Sequence, residues 1–323
     1  MTLAINTELL FKPKNGRAFS VFRVSEIEIE SSWKMLTDTA KIVLPRNVRD
    51  FDKYKVGNVF KAGDKCVIKM GYNGELLTEF TGYIRKVSAD YPITIELEDE
   101  MFRLKKIPVH YSGKSGSLKN FLNAIVKGIE IDCEADIQIG AMRFANTTLG
   151  AVLDTLQKDY SLYAFIRNGK LTIAKPYSDV KNDKLIYRFD LERNCVSNDL
   201  KYLSKEDRTI KIKATSVTGK GKKLEYEFGD ENPKTTLNIK LDFGDKSAME
   251  KEVKRLYDLH KREGFEGTFT TLGMPSLQHG EKVSISSTLY SDRKGIYYIE
   301  RVVKKLSADG YRQEIEIGQV AKK

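Results

Sequence analysis

Residues 82–100 read Gly-Tyr-Ile-Arg-Lys-Val-Ser-Ala-Asp-Tyr-Pro-Ile-Thr-Ile-Glu-Leu-Glu-Asp-Glu. Tyr83 to Val87 has the composition of a strand, and Ser88-Ala89-Asp90 with Pro92 has that of a turn. Ile93, Ile95 and Leu97 then alternate with Thr94, Glu96 and Glu98, a period of two that marks a strand with one buried and one wet face. The same order returns near the C-terminus: Tyr298-Ile299-Glu300-Arg301-Val302, then Ser307-Ala308-Asp309, then Ile315 and Ile317 alternating with Glu314 and Glu316. Upstream of each copy sits a glycine, an acid and a lysine heading a further strand: Gly63-Asp64-Lys65 before Cys66-Val67-Ile68, and Gly280-Glu281-Lys282 before Val283-Ser284-Ile285. This ordered recurrence predicts one small β-module present twice.

The chain has 323 residues, enough for two or three domains. Hydrophobic residues make up 41% and charged residues 31%, which favours a folded chain over a disordered one. No apolar run approaches the roughly 18 residues of a membrane-spanning helix, and the N-terminus lacks the basic and apolar regions of a secretory signal. Three scattered cysteines, Cys66, Cys133 and Cys195, argue for a reducing compartment and against a disulfide framework. The net charge of +10 is spread along the chain, so a solvated basic surface is a simpler account than nucleic-acid binding.

Taken in order, residues 1–106 predict about six strands with turn signals between them, the profile of a small barrel or sandwich. Asn15-Gly16 is a hairpin signal, and the loop at 31–38 carries the only tryptophan, Trp33. At 107–178 the pattern becomes helix, short strand, helix, hairpin. Leu118, Phe121, Leu122 and Ile125 fall at helical spacing behind Ser117 as N-cap, and Leu149, Val152, Leu153 and Leu156 do the same. Strands resume from 184, and a third helix at about 247–263, with Gly264 as its C-cap, is inserted among them. The predicted fold class is mainly β with an α/β insert: two related small β-barrel modules, 1–106 and 179–323, flank a small α/β module at 107–178.

Catalytic motifs are scarce. Gly113-Lys114-Ser115 resembles the end of a phosphate-binding loop but has Pro108 where that motif needs glycine. His110, His260 and His279 lie too far apart for paired metal ligands on one helix face. Glu96 and Glu98 read as the solvated face of a strand edge, not as a glycosidase carboxylate pair. No nucleophile elbow is present. The sequence therefore predicts no catalytic, cofactor or metal site. Lys220, Lys222 and Lys223 form a basic hairpin tip whose simplest reading is a solvated loop; they are the partner-binding candidates the sequence offers.

Several short segments resemble the baseplate hub proteins of contractile phage tails, the late control gene D family, related to the hub portion of type VI secretion spikes. They are Asp38-Thr39-Ala40-Lys41-Ile42-Val43-Leu44-Pro45, Phe80-Thr81-Gly82-Tyr83-Ile84, Ser197-Asn198-Asp199-Leu200-Lys201-Tyr202, Gly264-Phe265-Glu266-Gly267-Thr268 before Gly273-Met274-Pro275, and Asp309-Gly310-Tyr311-Arg312-Gln313 through Gly318. The resemblance implies a homotrimer of subunits with two β-barrels each, forming a ring around a channel. It implies as partners a tail tube or tube-initiator ring protein, a spike and other baseplate proteins, with nucleic acid only as cargo and no membrane. The place implied is the virion tail baseplate or a tail-like contractile injection particle, assembled in the bacterial cytoplasm. Because the chain ends at Lys323, directly after the second module, the spike is expected to be a separate polypeptide and no lytic domain is expected. A tail-carried enzyme acting on cell wall or polysaccharide is the alternative.

Overall fold

The structure, a computed structural model, describes residues 3–45, 59–88, 91–133, 137–175, 177, 186–217, 223–240 and 246–321. The first part of the chain forms β1 (Ile5–Lys12), β2 (Phe19–Val21), β3 (Glu26–Ser32), β4 (Thr39–Val43), β5 (Lys65–Tyr72), β6 (Glu75–Val87) and β7 (Thr94–Glu98). The middle forms α1 (Met101–Leu104), β8 (Pro108–Gly113), β9 (Gly116–Ser117), α2 (Leu118–Ile125), β10 (Ile131–Cys133), β11 (Gln138–Ile139), β12 (Met142–Thr148), α3 (Leu149–Tyr160), β13 (Tyr163–Arg167) and β14 (Lys170–Ala174). The last part forms β15 (Tyr187–Asp190), β16 (Ser197–Asn198), β17 (Lys201–Leu203), β18 (Ile210–Val217), β19 (Lys223–Gly229), β20 (Thr235–Lys240), α4 (Lys246–His260), β21 (Gly264–Leu272), β22 (Lys282–Ser286), β23 (Gly295–Ser307) and β24 (Gly310–Val320). The fold is mainly β, as the sequence predicts.

Among the described residues fourteen strands form one sheet, ordered β16-β21-β24-β23-β3-β4-β7-β6-β5-β1-β2, with β22 pairing β23, β15 pairing β22 and β17 pairing β21. The two predicted copies occupy its two halves as matching antiparallel meanders, β5-β6-β7 and β22-β23-β24. The pairing of β3 with β23, Ile29 opposite Lys304 and Ile27 opposite Leu306, joins the halves.

The match extends to single bonds. Gly63 donates its amide to Ile84 O at 2.8 Å, and Gly280 donates to Ile299 O at 2.8 Å. Ile84 returns a bond to Asp64 O at 2.9 Å, and Ile299 to Glu281 O at 2.8 Å. The acid's carboxylate accepts the amide three residues back in both copies, Lys61 to Asp64 at 3.3 Å and Gln278 to Glu281 at 2.9 Å. Lys65 lies opposite Tyr83, and Lys282 opposite Tyr298, each ammonium over its ring at 5.7 and 5.1 Å. The ladder shifts register between Ile84 and Lys86 in one copy and between Ile299 and Arg301 in the other. Glycine is required at the head of both copies, because Gly63 and Gly280 sit at φ +88° and +82°.

Inward-facing alternate residues fill the cores. The first holds Leu9, Phe11, Ile27, Ile42, Ile68, Met70, Ile84 and Ile95, and is completed by Leu306 and Tyr311 from the second half. The third, under the second meander, holds Phe269, Val283, Ile285, Tyr297, Ile299 and Ile315. The middle core is built from the α2 and α3 stripes the sequence predicts, with Ser117 and Thr148 accepting the Asn120 and Ala151 amides as N-caps. It also takes in Met101 and Leu104 of α1.

Three readings need correction. The helix at 246–260 is not a bare insertion: Met249 and Val253 cover a separate sheet ordered β19-β18-β20, packing on Ile210, Ile212 and Ala214. Gly264 opens β21 and does not cap that helix. Glu98 is not on a solvated edge. β7 lies between β4 and β6, and Glu98 is buried, 2.5 Å from Lys105 and 3.7 Å from Arg85, because a carboxylate leaves water only when cations replace its hydration.

Candidate functional site: assembly surfaces and the joint behind them

The predicted basic tip lies almost wholly outside the described residues. Lys220 and Lys222 are not described; Lys223 opens β19 opposite Val217, with its side chain not described. Among the described residues no group of three His, Cys, Asp or Glu side chains could hold a metal ion, and no helix is long and apolar enough to cross a membrane. The histidines stay apart: His110 is exposed, His260 meets Gln319, and His279 is buried among aromatic rings.

The structure instead displays two apolar ends at equivalent places in the duplicated meander. In the first copy β5 passes to β6 through Asn73-Gly74, and exposed Leu3, Ile5 and Leu77 lie around that turn. Asn73 ties it to the N-terminal segment, its side chain accepting the Ala4 amide at 3.0 Å and its amide donating to Ala4 O at 2.7 Å. Phe22, 65% exposed, follows β2 and has its carbonyl held by Thr7 Oγ1. In the second copy the corresponding connection runs from β22 to β23 and carries Leu289, 75% exposed, and Tyr290. Glu192 accepts both Ser287 Oγ and the Thr288 amide at 2.7 Å, and Arg293 covers the Tyr290 ring at 4.2 Å. Exposed apolar side chains gathered at one end are candidates for contact with a partner, whereas isolated ones are ordinary.

Behind these ends the units are locked by buried polar groups. Lys304 of β23 reaches Glu79 of β6 and donates to Ser276 Oγ at 2.7 Å. Burial and the Glu79 carboxylate push the neighbouring Tyr311 phenol well up. Gln313, fully buried, accepts the Leu277 amide at 3.3 Å and donates to Pro275 O at 2.6 Å, which fixes the loop before β22. Tyr72 donates to Tyr311 O at 2.5 Å. The middle unit is held by Trp33, packed edge-on against Phe165 at 5.1 Å and against His279 at 5.4 Å. Arg167 of β13 donates to His279 O.

The sequence offered one usable signal for this joint. Val302, Lys304 and Leu306 share one face of β23, so Lys304 stands at a core-facing position between two buried apolar residues. The Trp33 cluster joins segments more than 100 residues apart and has no local signature.

No protein-family model and no curated protein sequence matches the chain. Solved structures do. A tail protein from Neisseria meningitidis aligns with a TM-score of 0.65 at 13% identity, over 97% of this chain and 96% of that one. The 43 kDa tail protein of prophage MuSo2 from Shewanella oneidensis aligns at 0.63 and 15% identity, over 96% and 98%. A component of the Escherichia coli type VI secretion system, described as similar to the bacteriophage T4 tail proteins gp27 and gp5, aligns at 0.53 and 10% identity, over 97% and 76%. Over nearly its whole length the chain therefore has the fold of these tail proteins, a fold shared with that type VI secretion component.

Proposed function

We propose that the protein is the structural baseplate hub of a contractile phage tail or tail-like injection particle, a homotrimer adapting a six-fold tail tube to a three-fold spike. The observation that carries this reading is the duplicated meander, with its heading hydrogen bonds repeated, in one chain with the tail-protein fold. A trimer of such chains offers six near-equivalent modules on one face while retaining true three-fold symmetry. In this reading the modules are 1–106 and 179–323, with 107–178 packed outside the ring. The apolar ends at Phe22 and Leu289 then meet the tube-initiating ring, and the basic tip at Lys220, Lys222 and Lys223 meets an acidic partner surface or passing nucleic acid. The spike and other baseplate proteins are further partners, and the protein acts in the virion tail baseplate after assembly in the cytoplasm, without catalysis.

The test is sedimentation of the purified chain together with averaged electron micrographs. The reading expects a trimer with six lobes about a channel. A monomer at micromolar concentration that releases sugars or peptides from cell wall overturns it in favour of the enzyme.

A further inference from the structure

We propose that Asp38, Asp99 and His279 form a proton-controlled joint between the three units, closed when the two carboxyls hold their protons and loosened when they lose them. This inference does not depend on the hub reading.

The geometry is a cluster of ionisable groups where three units meet. Asp38 precedes β4, Asp99 lies between β7 and α1, and His279 precedes β22. The two aspartates are cross-bonded: Asp99 donates its amide to Asp38 O at 3.0 Å, and the Asp38 amide donates to the Asp99 carboxylate, at Oδ2, at 3.3 Å. Asp99 Oδ1 accepts the Met101 amide at 2.9 Å, which starts α1. His279 Nδ1 stands 4.0 Å from Asp38 Oδ1. The imidazole is 1% exposed and edge-on to Trp33 and Phe165, and neither ring nitrogen has a hydrogen-bond partner. The Trp33 indole nitrogen is likewise unpartnered.

Every packed element contributes charge. Arg167 of β13 and Lys304 of β23 face Asp38; Glu98 of β7 and Lys105, which follows α1, face Asp99; Arg167 also faces His279. Beyond Trp33, Lys34 and Glu300 act on Tyr163. Burial, then the Asp99 carboxylate, push Asp38 up against the pull of Arg167 and Lys304. Burial pushes Asp99 up to about 7 against its two backbone donors. Burial, then Arg167, push His279 down to about 3.

These shifts oppose each other. An acid raised in the folded state stabilises the joint least at high pH: the penalty grows as pH rises from its ordinary value of 3.8 towards the raised one. A base lowered in the folded state does the reverse, its penalty growing as pH falls below 6.5. Above 6.5 the imidazole is neutral in both states, so through neutrality only the carboxyls change protonation and the joint loosens as pH rises. Loosening here frees the middle unit at Phe165 and Arg167, while the β5-β6-β7 ladder stays paired.

Amide hydrogen exchange on the full chain, corrected for intrinsic rates, tests this. Between pH 5.5 and 7.5, protection of peptides covering 163–167 and 277–280 falls by at least about tenfold, while peptides covering 94–98 hold. In the Asp38→Asn/Asp99→Asn variant only the imidazole remains, and the slope reverses to a rise of about tenfold. His279→Gln, with both aspartates intact, steepens the wild-type fall. A flat wild-type profile overturns the proposal without any variant being needed, and so does an unchanged slope in the double asparagine variant.

Discussion

Lys304 meets Glu79 across the boundary between the two halves of the sheet, with their side chains 5% and 0% exposed. An ion pair removed from water contributes little net stability, but breaking it leaves one charge stranded at a cost of about 3–5 kcal/mol. Lys304→Met should therefore destabilise the chain by that amount in urea unfolding. Glu79→Gln combined with Lys304→Met should recover most of the loss. A double variant no more stable than the single one would show that the pair itself, and not the stranded charge, holds the halves together.

The two heading glycines separate backbone strain from packing. Both have positive φ, so alanine at either site costs about 1–2 kcal/mol. At Gly63 the added Cβ approaches only the mobile end of Lys14, at 3.0 Å, whereas at Gly280 it lies 2.9 Å from Trp33 Cζ2 in a buried ring cluster. Gly280→Ala should therefore destabilise more than Gly63→Ala, and thermal melting of the two variants ranks them. Equal losses would mean that the indole moves aside freely.

Much of this architecture is legible locally. The Gly-acid-Lys heads, the period-two strands and the 3.6-residue stripes of α2 and α3 are short-range signals, and each marks an element that is present. Long-range pairing is not coded in this way. Nothing near Ile27 and Ile29 announces β23 as their partner, because an alternating strand fits any complementary edge. Glu98 reads as solvent-facing because a single charged letter defaults to water; its burial depends on Lys105 and Arg85 arriving from other segments. Of the sheet under α4, β18 and β19 are legible as strands, while β20, Thr-Thr-Leu-Asn-Ile-Lys, is not, because it offers only Leu237 and Ile239 as apolar residues.

His260, at the end of α4, gives the unit around β18 its own acid response. Burial, then Arg208, push it down to about 4, and the Gln319 amide lies 2.8 Å from Nδ1. A base lowered in the folded state gives stability that is complete above 6.5 and drains as pH falls towards 4. His260→Gln should flatten the drop in melting temperature between pH 6.5 and 4.5 relative to wild type. Parallel curves for the two proteins would place the acid sensitivity elsewhere.

Exposed lysines tune association rate and salt dependence more than stability. Replacing Lys220, Lys222 and Lys223 with glutamate should leave the melting temperature nearly unchanged. It should weaken incorporation into tube or spike complexes, most clearly at low salt. Full incorporation of the glutamate variant at low salt would mean that the tip is simply solvated.

The apolar ends make the strongest demand on the hub reading. Phe22 follows β2 beside the first meander, Leu289 lies in the β22–β23 connection of the second, and they are 65% and 75% exposed, so neither supports the fold. Substitution of such residues shifts stability by no more than about 0.5 kcal/mol. If both ends dock on one repeating ring, Phe22→Glu and Leu289→Glu should each reduce incorporation into assembled tails, because each strips three of the six contacts. Together they should abolish it, since an introduced carboxylate would have to be buried unpaired at every contact. Melting curves establish that the variants fold, and counting the hub protein in purified particles reads the effect. Loss of incorporation from one variant alone would mean that the copies face different partners, and the duplication would then serve the ring's closure and not its six-fold face.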